Sequence, residues 1–273
     1  MKTKLISGTS YGETLKSREV AGLVLMETLY SPGLKIPRHS HEHSCFCFVL
    51  QGTFTEIYGG KTRACKPLTL TFHPSDEMHS EDFDNAGGRL FSIVVGSPWL
   101  ERVREHSTAL NSSADFHGDF TAWLATRLYY EFQEMDEVSP LAIEGFALEM
   151  RAEASRRHAM ISERKPLRWL EQARELLHAR FSECLTLAQI AESVGVHPVH
   201  LARTFHQRYR CTVGEYIRRL RIEFTCRELS TSGTPLVEIA LLAGFSSQSH
   251  FSSTFKRLTG MTPAEYRSVF RSR

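Results

Sequence analysis

Two groups of residues in this 273-residue chain have the types and spacing for chemistry. The first lies in GLKIPRHSHEHSCFCFVLQG, residues 33–52. His39 and His41 are two positions apart, so in a strand their imidazoles point to one side. A neighbouring strand could bring His79 beside them. His39, His41, Cys45 and His79 then offer three imidazole nitrogens and one thiolate sulfur, a donor set suited to zinc or another transition metal. The other reading is a metal-free pocket whose histidines hydrogen-bond an effector or each other. Cys45 and Cys47 fall on one strand face, with Phe46, Phe48 and Leu50 on the other. That pattern reads as a strand buried on both sides, its thiols serving as packing groups. A redox role needs a low thiol pKa and access, which sequence does not show. His43 and His73 read as surface or turn residues.

The second group comes in two copies. Ile190, Ala191 and Gly195 recur as Ile239, Ala240 and Gly244, an offset of 49. His200, Thr204, Phe205, Thr212, Glu215 and Tyr216 recur as His250, Thr254, Phe255, Thr262, Glu265 and Tyr266, an offset of 50. Each copy reads as a short helix, a turn opened by Gly, and a second helix with Pro198 or Ser246 and Ser247 at its start. This is the helix-turn-helix layout, whose second helix enters the major groove of DNA. Helical spacing turns Leu201 and Phe205 inward and leaves Val199, Ala202, Arg203 and His206 on one outer face. In the second copy Phe251, Phe255 and Leu258 turn inward, and Gln248, Ser249, Ser252, Ser253 and Lys256 outward. Arg203 can donate two hydrogen bonds to guanine, and Gln248 can pair similarly with adenine. Lys256, Arg257 and Arg208 read as phosphate contacts, which position without specifying. Any one of these polar residues could belong to a solvated helix face. The repeat, its turn chemistry and the charge of the region agree on the DNA-reading alternative.

These residues need elements to hold them, and the wider sequence supplies two kinds. The first ~100 residues carry short β-branched and aromatic runs between turn residues, the pattern of a barrel or sandwich. Examples are Val20–Leu29, Cys45–Leu50, Thr53–Tyr58, Leu68–Phe72 and Leu90–Val95. Turns are expected at 31–33, 59–60, 73–76 and 85–88. Helical periodicity follows over 116–134 and 140–156. The stripe Phe120, Trp123, Leu124, Leu128 and Phe132 reads either as core or as a dimerisation surface. The polar run 156–166, ending in Pro166, reads as a linker. From there to the end the chain reads as all helix, with Val213–Ser230 as a long rod joining the two copies. Composition is ordinary for a globular protein, at 41% hydrophobic and 23% charged. The net charge of +2 hides an asymmetry. From residue 166 onward there are 15 Lys+Arg against 9 Asp+Glu, and before it 18 against 22. A basic C-terminal part suits an anionic partner. No apolar run approaches the ~18 residues of a membrane span. No secretory signal is readable in MKTKLISGTSYGETLK, so a cytoplasmic protein with no membrane partner is expected, and its six cysteines are not a disulfide framework.

The segment IALLAGFSSQSHFSSTFKRLTGMTPAEYR, residues 239–267, closely resembles the signature of the AraC/XylS-type transcription regulators. Gly244, Phe245, Ser249, His250, Phe251, Phe255, Lys256, Gly260, Pro263, Tyr266 and Arg267 match it individually, and the resemblance extends over about 167–270. It implies contact with double-stranded DNA at Val199, Ala202, Arg203, Gln248, Ser249, Ser252 and Ser253. It also implies RNA polymerase as a partner and a bacterial, nucleoid-associated setting. Arg210 departs from the pattern, standing where the first copy often has the Gly seen at Gly260. Small side chains at 202, 252 and 253 shift base reading toward Arg203, Gln248 and DNA shape. Residues 33–52 also resemble the first cupin motif, matching at Gly33, His39, His41 and Gly52 with Cys45 at the Glu position. Residues 74–79 resemble the second motif, with Asp76 in place of Gly. Such regulators often carry a cupin-like sensor.

The expected architecture is therefore a multi-domain α and β chain. Residues 1–97 form a cupin-like β-barrel sensor, 98–157 a helical connector that can dimerise, and 158–166 a linker. Residues 167–273 form an all-α DNA-binding domain of two helix-turn-helix units joined by a long helix. The expected function is sequence-specific transcription regulation by a homodimer that answers a small-molecule effector, with a transition metal such as zinc as the possible cofactor. The rival is a metal-dependent cupin enzyme, a dioxygenase or isomerase. It lacks the motif's Glu and leaves the 50-residue repeat unexplained.

Overall fold

The computed structural model describes residues 3–5, 10–96, 99, 113–117, 120–163 and 167–271. The chain divides into two compact units, Met1–Ala159 and Met160–Arg273. The first is an antiparallel sheet region followed by helices, and the second is helical.

Among the described residues nine strands form one sheet: β1 (Thr3–Leu5), β2 (Glu13–Val20), β3 (Leu23–Tyr30), β4 (Lys35–His41), β5 (Ser44–Tyr58), β6 (Lys61–Cys65), β7 (Thr69–His73), β8 (His79–Val95) and β9 (Ala114–His117). All pairs are antiparallel except β1 with β4. The two long strands do most of the shaping. The start of β8 pairs with β4, its end pairs with β3, and β5 runs beside both halves. The β5–β8 register slips on either side of Gln51–Gly52. There Gly52 takes a positive φ of 77°, and a Cβ on it would collide with the Gly87 carbonyl. The two strands bend together at this close approach. Residues 85–88, expected to be a turn, therefore lie inside β8. The run Val20–Leu29, expected as one strand, is broken instead by a tight turn at Ala21 and Gly22, both with positive φ.

Alternation along β5 sends Phe46 and Phe48 to one face, and both are buried with Leu70, Phe72 and Phe91. Helix α1 (Phe120–Gln133) covers this layer, with Phe91 touching Tyr129 and Phe132 at ring separations of 5.1 Å. Trp123, Leu124, Leu128 and Phe132 are all buried. Of the two readings of that stripe, the structure gives core; the side chain of Phe120 lies outside the described residues. Lys16 closes the end of α1 by donating to the carbonyls of Phe132 and Gln133, a cation at the negative pole of the helix. Helix α2 runs Ser139–Glu163, with Asp136 Oδ1 accepting the N–H groups of Val138 and Ser139 at its start. It continues through 158–163, which the sequence reads as linker. Ala159, Met160 and Glu163 are good helix formers, and polarity alone does not end a helix.

The second unit holds α3 (Arg168–Ala179), α4 (Leu187–Ser193), α5 (Pro198–Tyr209), α6 (Val213–Thr231), α7 (Leu236–Leu242), α8 (Gln248–Thr259) and α9 (Pro263–Phe270). The recurring Thr and Glu prove to be matched capping boxes. Thr212 with Glu215 starts α6, and Thr262 with Glu265 starts α9. The recurring Gly positions end α4 and α7 with φ of 70° and 79°. The first helix pair packs Ile190, Ala191, Leu201 and Phe205 with Leu170 and Leu177 of α3 and with Leu220 of α6. In the second, Phe245, Phe251, Phe255, Tyr266 and Phe270 are buried in a chain of ring contacts. Arg210 ends α5 in the left-handed conformation, φ 55°, just as Gly260 ends α8 at 81°. The departure from Gly thus changes the residue and keeps the backbone.

Candidate functional site

The outer faces of α5 and α8 form the first candidate site. His197 Nδ1 accepts the N–H of Val199 at 3.3 Å, and Ser247 Oγ accepts that of His250 at 3.2 Å, so each helix opens on a capped first turn. Leu201 and Phe205, then Phe251 and Phe255, are fully buried and fix which face looks outward. Val199, Arg203, His206, Gln248, Ser249, Ser253 and Lys256 are exposed, while Ala202 and Ser252 are half-buried. Val199 is 68% exposed, a β-branched apolar group left open at the start of a helix. All nine residues expected to meet DNA therefore lie on accessible faces. Arg257 is exposed and Arg208 half-buried, both in the last turns of their helices. These faces offer bidentate donors, hydroxyls and cations to a polar, anionic partner.

The second candidate site is a cavity of about 50 Å³ in the sheet unit. It has room for roughly three or four water-sized groups at ~10–15 Å³ each. His39 and His41 come from β4, Cys45, Cys47 and Glu56 from β5, and His73 from β7. Sheet register brings them together: His39 stands opposite His79, Cys45 opposite His73, and Glu56 opposite both Arg63 and Glu81. The ring of His79 lies 4.4 Å from that of His39, 5.0 Å from His41 and 4.5 Å from His73, centre to centre.

Two triads of donor atoms converge, sharing His79. One is His39, His41 and His79, and the other is Glu56, His73 and His79; within each, the atoms lie within 4.8 Å of one another. The second triad is already engaged. Arg63 Nε donates to Glu56 Oε2 at 2.7 Å, and Arg63 Nη2 lies 3.2 Å from His73 Nε2. A guanidinium at that position opposes a second cation. The first triad meets no guanidinium, but His79 Nε2 lies 3.4 Å from Glu81 Oε1, so an ion there would displace the proton held between them. His39 Nδ1 lies 3.0 Å from the Pro37 carbonyl and His79 Nδ1 lies 3.1 Å from the Glu77 carbonyl. Each Nδ1–H donates to its carbonyl, which turns the Nε2 of each ring away from the backbone. This is the outer support that metal-ligating histidines use.

Burial lowers the pKa of His39, and takes His41 down to about 3 with His79 and His39 adding to the effect. His73 is held well below the usual range by burial, with His79 and Arg63 contributing. Burial would also lower His79, but the hydrogen bond and charge of Glu81, with Glu56 beyond, raise it to about 9. Three rings are therefore neutral at pH 7, the form that ligates or accepts.

Cys45 is not in either triad. Its Sγ lies 3.9 Å from Cys47 Sγ, and that contact together with burial pushes its thiol well above the usual range. His43 is half-buried at the cavity mouth. His73, expected in a turn, is buried at the end of β7, because Pro74 begins the turn one residue later. Glu56 and Glu81 complete the cavity chemistry and were not singled out in the sequence. The available signal was phase: Glu56 sits two residues after buried Phe54 in an alternating strand, so a carboxylate occupies an inward position.

Comparison with known proteins places the helical unit. A family described as "Helix-turn-helix domain" matches residues 190–268. The chain is 35% identical over 101 residues to PqrA of Proteus vulgaris, described as a probable transcription factor, a match covering 37% of this chain and 79% of that protein. It is 31% identical over 163 residues to a protein of Streptomyces antibioticus described as an AraC-like transcription regulator, covering 55% of this chain and 52% of that one. The chain thus spans about half the length of that relative. Among solved structures, the C-terminal domain of AraT, a response regulator from Geobacillus stearothermophilus, is 29% identical with a TM-score of 0.39, over 40% of this chain and 92% of that one.

Proposed function

This chain belongs to the AraC/XylS-type family of transcription regulators, and from that premise we propose that it reads specific duplex DNA and regulates transcription there. The observation that carries the reading is the pair of capped helices, α5 and α8, with equivalent polar faces open to solvent. In this reading α4–α5 and α7–α8 are two helix-turn-helix units. Arg203 and Gln248 read bases, and Lys256, Arg257 and Arg208 hold phosphates. Val199, Ala202, His206, Ser249, Ser252 and Ser253 line the same two surfaces. The regulator acts in the cytoplasm on nucleoid DNA, as a homodimer that engages RNA polymerase. No helix among the described residues is long and apolar enough to cross a membrane.

The test is a random-library selection with the full chain, followed by footprinting. A salt-sensitive, competitor-resistant footprint of about two helical turns per protomer is expected. Arg203→Ala should cost about 1–3 kcal/mol on the selected site and relax the preference at one base pair. Lys256→Ala should weaken selected and random DNA alike and flatten the salt slope by about one. Equal losses on both DNAs for Arg203→Ala would remove it from the base readers. An empty selection at low salt would overturn the DNA reading.

The sheet unit is the sensor in this reading, a cupin-like domain whose cavity takes a small ligand. Its residues fit a transition-metal ion at His39, His41 and His79, with the Nδ1 contacts to Pro37 and Glu77 orienting two of the rings. A bound ion would supply positive charge and an open coordination position for a further ligand. Chelator-stripped protein titrated with Co²⁺ should take up one equivalent and gain a visible ligand-field band. His41→Ala should lose the band and Cys45→Ser should keep it. No band in the wild-type protein would leave the histidines as hydrogen-bonding groups for an organic effector. The enzyme rival finds no use for the two exposed helix faces.

A further inference from the structure

Between the two helix pairs a single side chain joins three segments of backbone. Arg221 sits midway along α6, half-buried, between Leu220 of the first core and the fully buried Ile222. Its Nε donates to the Phe181 carbonyl at 2.8 Å, its Nη2 to the Glu183 carbonyl at 3.0 Å, and its Nη1 to the Gly244 carbonyl at 2.5 Å. The first two carbonyls belong to the loop between α3 and α4, which leads into the first helix pair. The third belongs to the turn between α7 and α8. The same loop and turn also touch directly, since a Cβ on Gly244 would run into the Ser182 carbonyl. The guanidinium lies 5.8 Å from the Phe245 ring, the side chain that fills the corner of the second pair.

Three forked, charge-assisted hydrogen bonds from one planar group fix an angle as well as a contact. Each pair has buried core residues of its own. What the three bonds add is a fixed separation and rotation between α5 and α8. We propose that Arg221 is a positioning residue that sets the spacing between the two DNA segments the protein accepts. The inference rests on the reading of α5 and α8 as DNA-reading helices. One added base pair moves the second segment by about 3.4 Å and turns it by about 34–36° around the duplex. A locked pair of helices cannot follow that step, whereas a hinged pair can. Lysine at this position keeps the charge but offers a point donor without the fork, so it cannot hold all three carbonyls in one geometry.

The test uses the full chain and the two-segment site that selection returns, with variants of that site carrying one base pair more or fewer between the segments. Wild-type protein is expected to lose roughly 10–100-fold in affinity on either spacing variant, the scale of a mismatched base pair or more. Arg221→Lys should bind the original site within about threefold of wild type, and lose less than about threefold on the altered spacings. Thermal melting of the variant is measured beside it. An Arg221→Lys protein that melts like wild type and keeps the full spacing penalty would overturn the assignment. One that is unfolded at the assay temperature would also overturn it, since Arg221 would then be a residue of stability. Failure of wild type to return a two-segment site would instead overturn the DNA reading itself, and this inference with it.

Discussion

Arg63→Met is expected to destabilise the sheet unit by about 3–5 kcal/mol, the scale of breaking one half of a buried ion pair. Glu56 is 1% exposed and Arg63 8% exposed, and their 2.7 Å contact lies inside the sheet. Burial already raises the pKa of Glu56 against the pull of Arg63. Removing the guanidinium takes away the charge hydrogen-bonded to that carboxylate and leaves only that of His79 to offset it. It also takes a donor from the Ala114 carbonyl on β9 and from His73 on β7. The loss is therefore larger than the net worth of the pair, because the carboxylate stays buried with only the weak Cys65 thiol donating to it, while His73 keeps Thr71. Adding Glu56→Gln to Arg63→Met should recover a good part of the loss, since the carboxylate that lost its guanidinium is then gone. Calorimetry of the full chain should show the transition of the sheet unit moving down while that of the helical unit stays in place. A change under ~1 kcal/mol would mean that water reaches Glu56 and that the pair is no more than a surface contact.

The same network shows where sequence reasoning stops. His39 and His41 were legible because a strand's period of two is local, and the two cupin-like motifs picked out His79 with them. Glu56 and His73 were not, because their meeting depends on the bend at Gly52 that carries the far end of β5 back over β7 and β8. Nothing within a few residues of Glu56 announces that bend. Cys45 entered the donor set through its motif position, and the structure gives it a different neighbour, Cys47. The stretch 85–88 carries every turn residue, yet it continues as strand because its Gly87 and Gly88 accommodate Gly52 across the ladder. The helical unit was more transparent. Its repeat states several turn, cap and core residues twice, among them Gly195 and Gly244, Thr212 and Thr262, and Phe205 and Phe255. Even there, Arg221 carried no local signal, since its three acceptors lie 23 to 40 residues away.

The two repeat glycines give the sharpest contrast for mutation. Gly195 and Gly244 occupy the same place in their copies, and their φ values of 70° and 79° ask the same of a side chain. Placing alanine in that conformation costs roughly 1–2 kcal/mol. At Gly195 a Cβ would meet nothing within 4 Å, so Gly195→Ala should cost that and no more. At Gly244 a Cβ would overlap the backbone of Ser182, which cannot rotate aside as a side chain could. Overpacking typically adds about 1–3 kcal/mol, for a total of roughly 2–5 kcal/mol. The backbone can relieve the overlap only by separating the 181–183 loop from the Gly244 turn, which would also pull two of the Arg221 acceptors from the third. Gly244→Ala should therefore lose DNA affinity in excess of its loss of folded protein, whereas Gly195→Ala should keep wild-type affinity in its folded fraction. Denaturant unfolding and DNA titration of the two variants, done side by side, check both halves. Equal costs at the two positions would mean that the loop and turn part easily, and that the two helix pairs are joined by α6 alone.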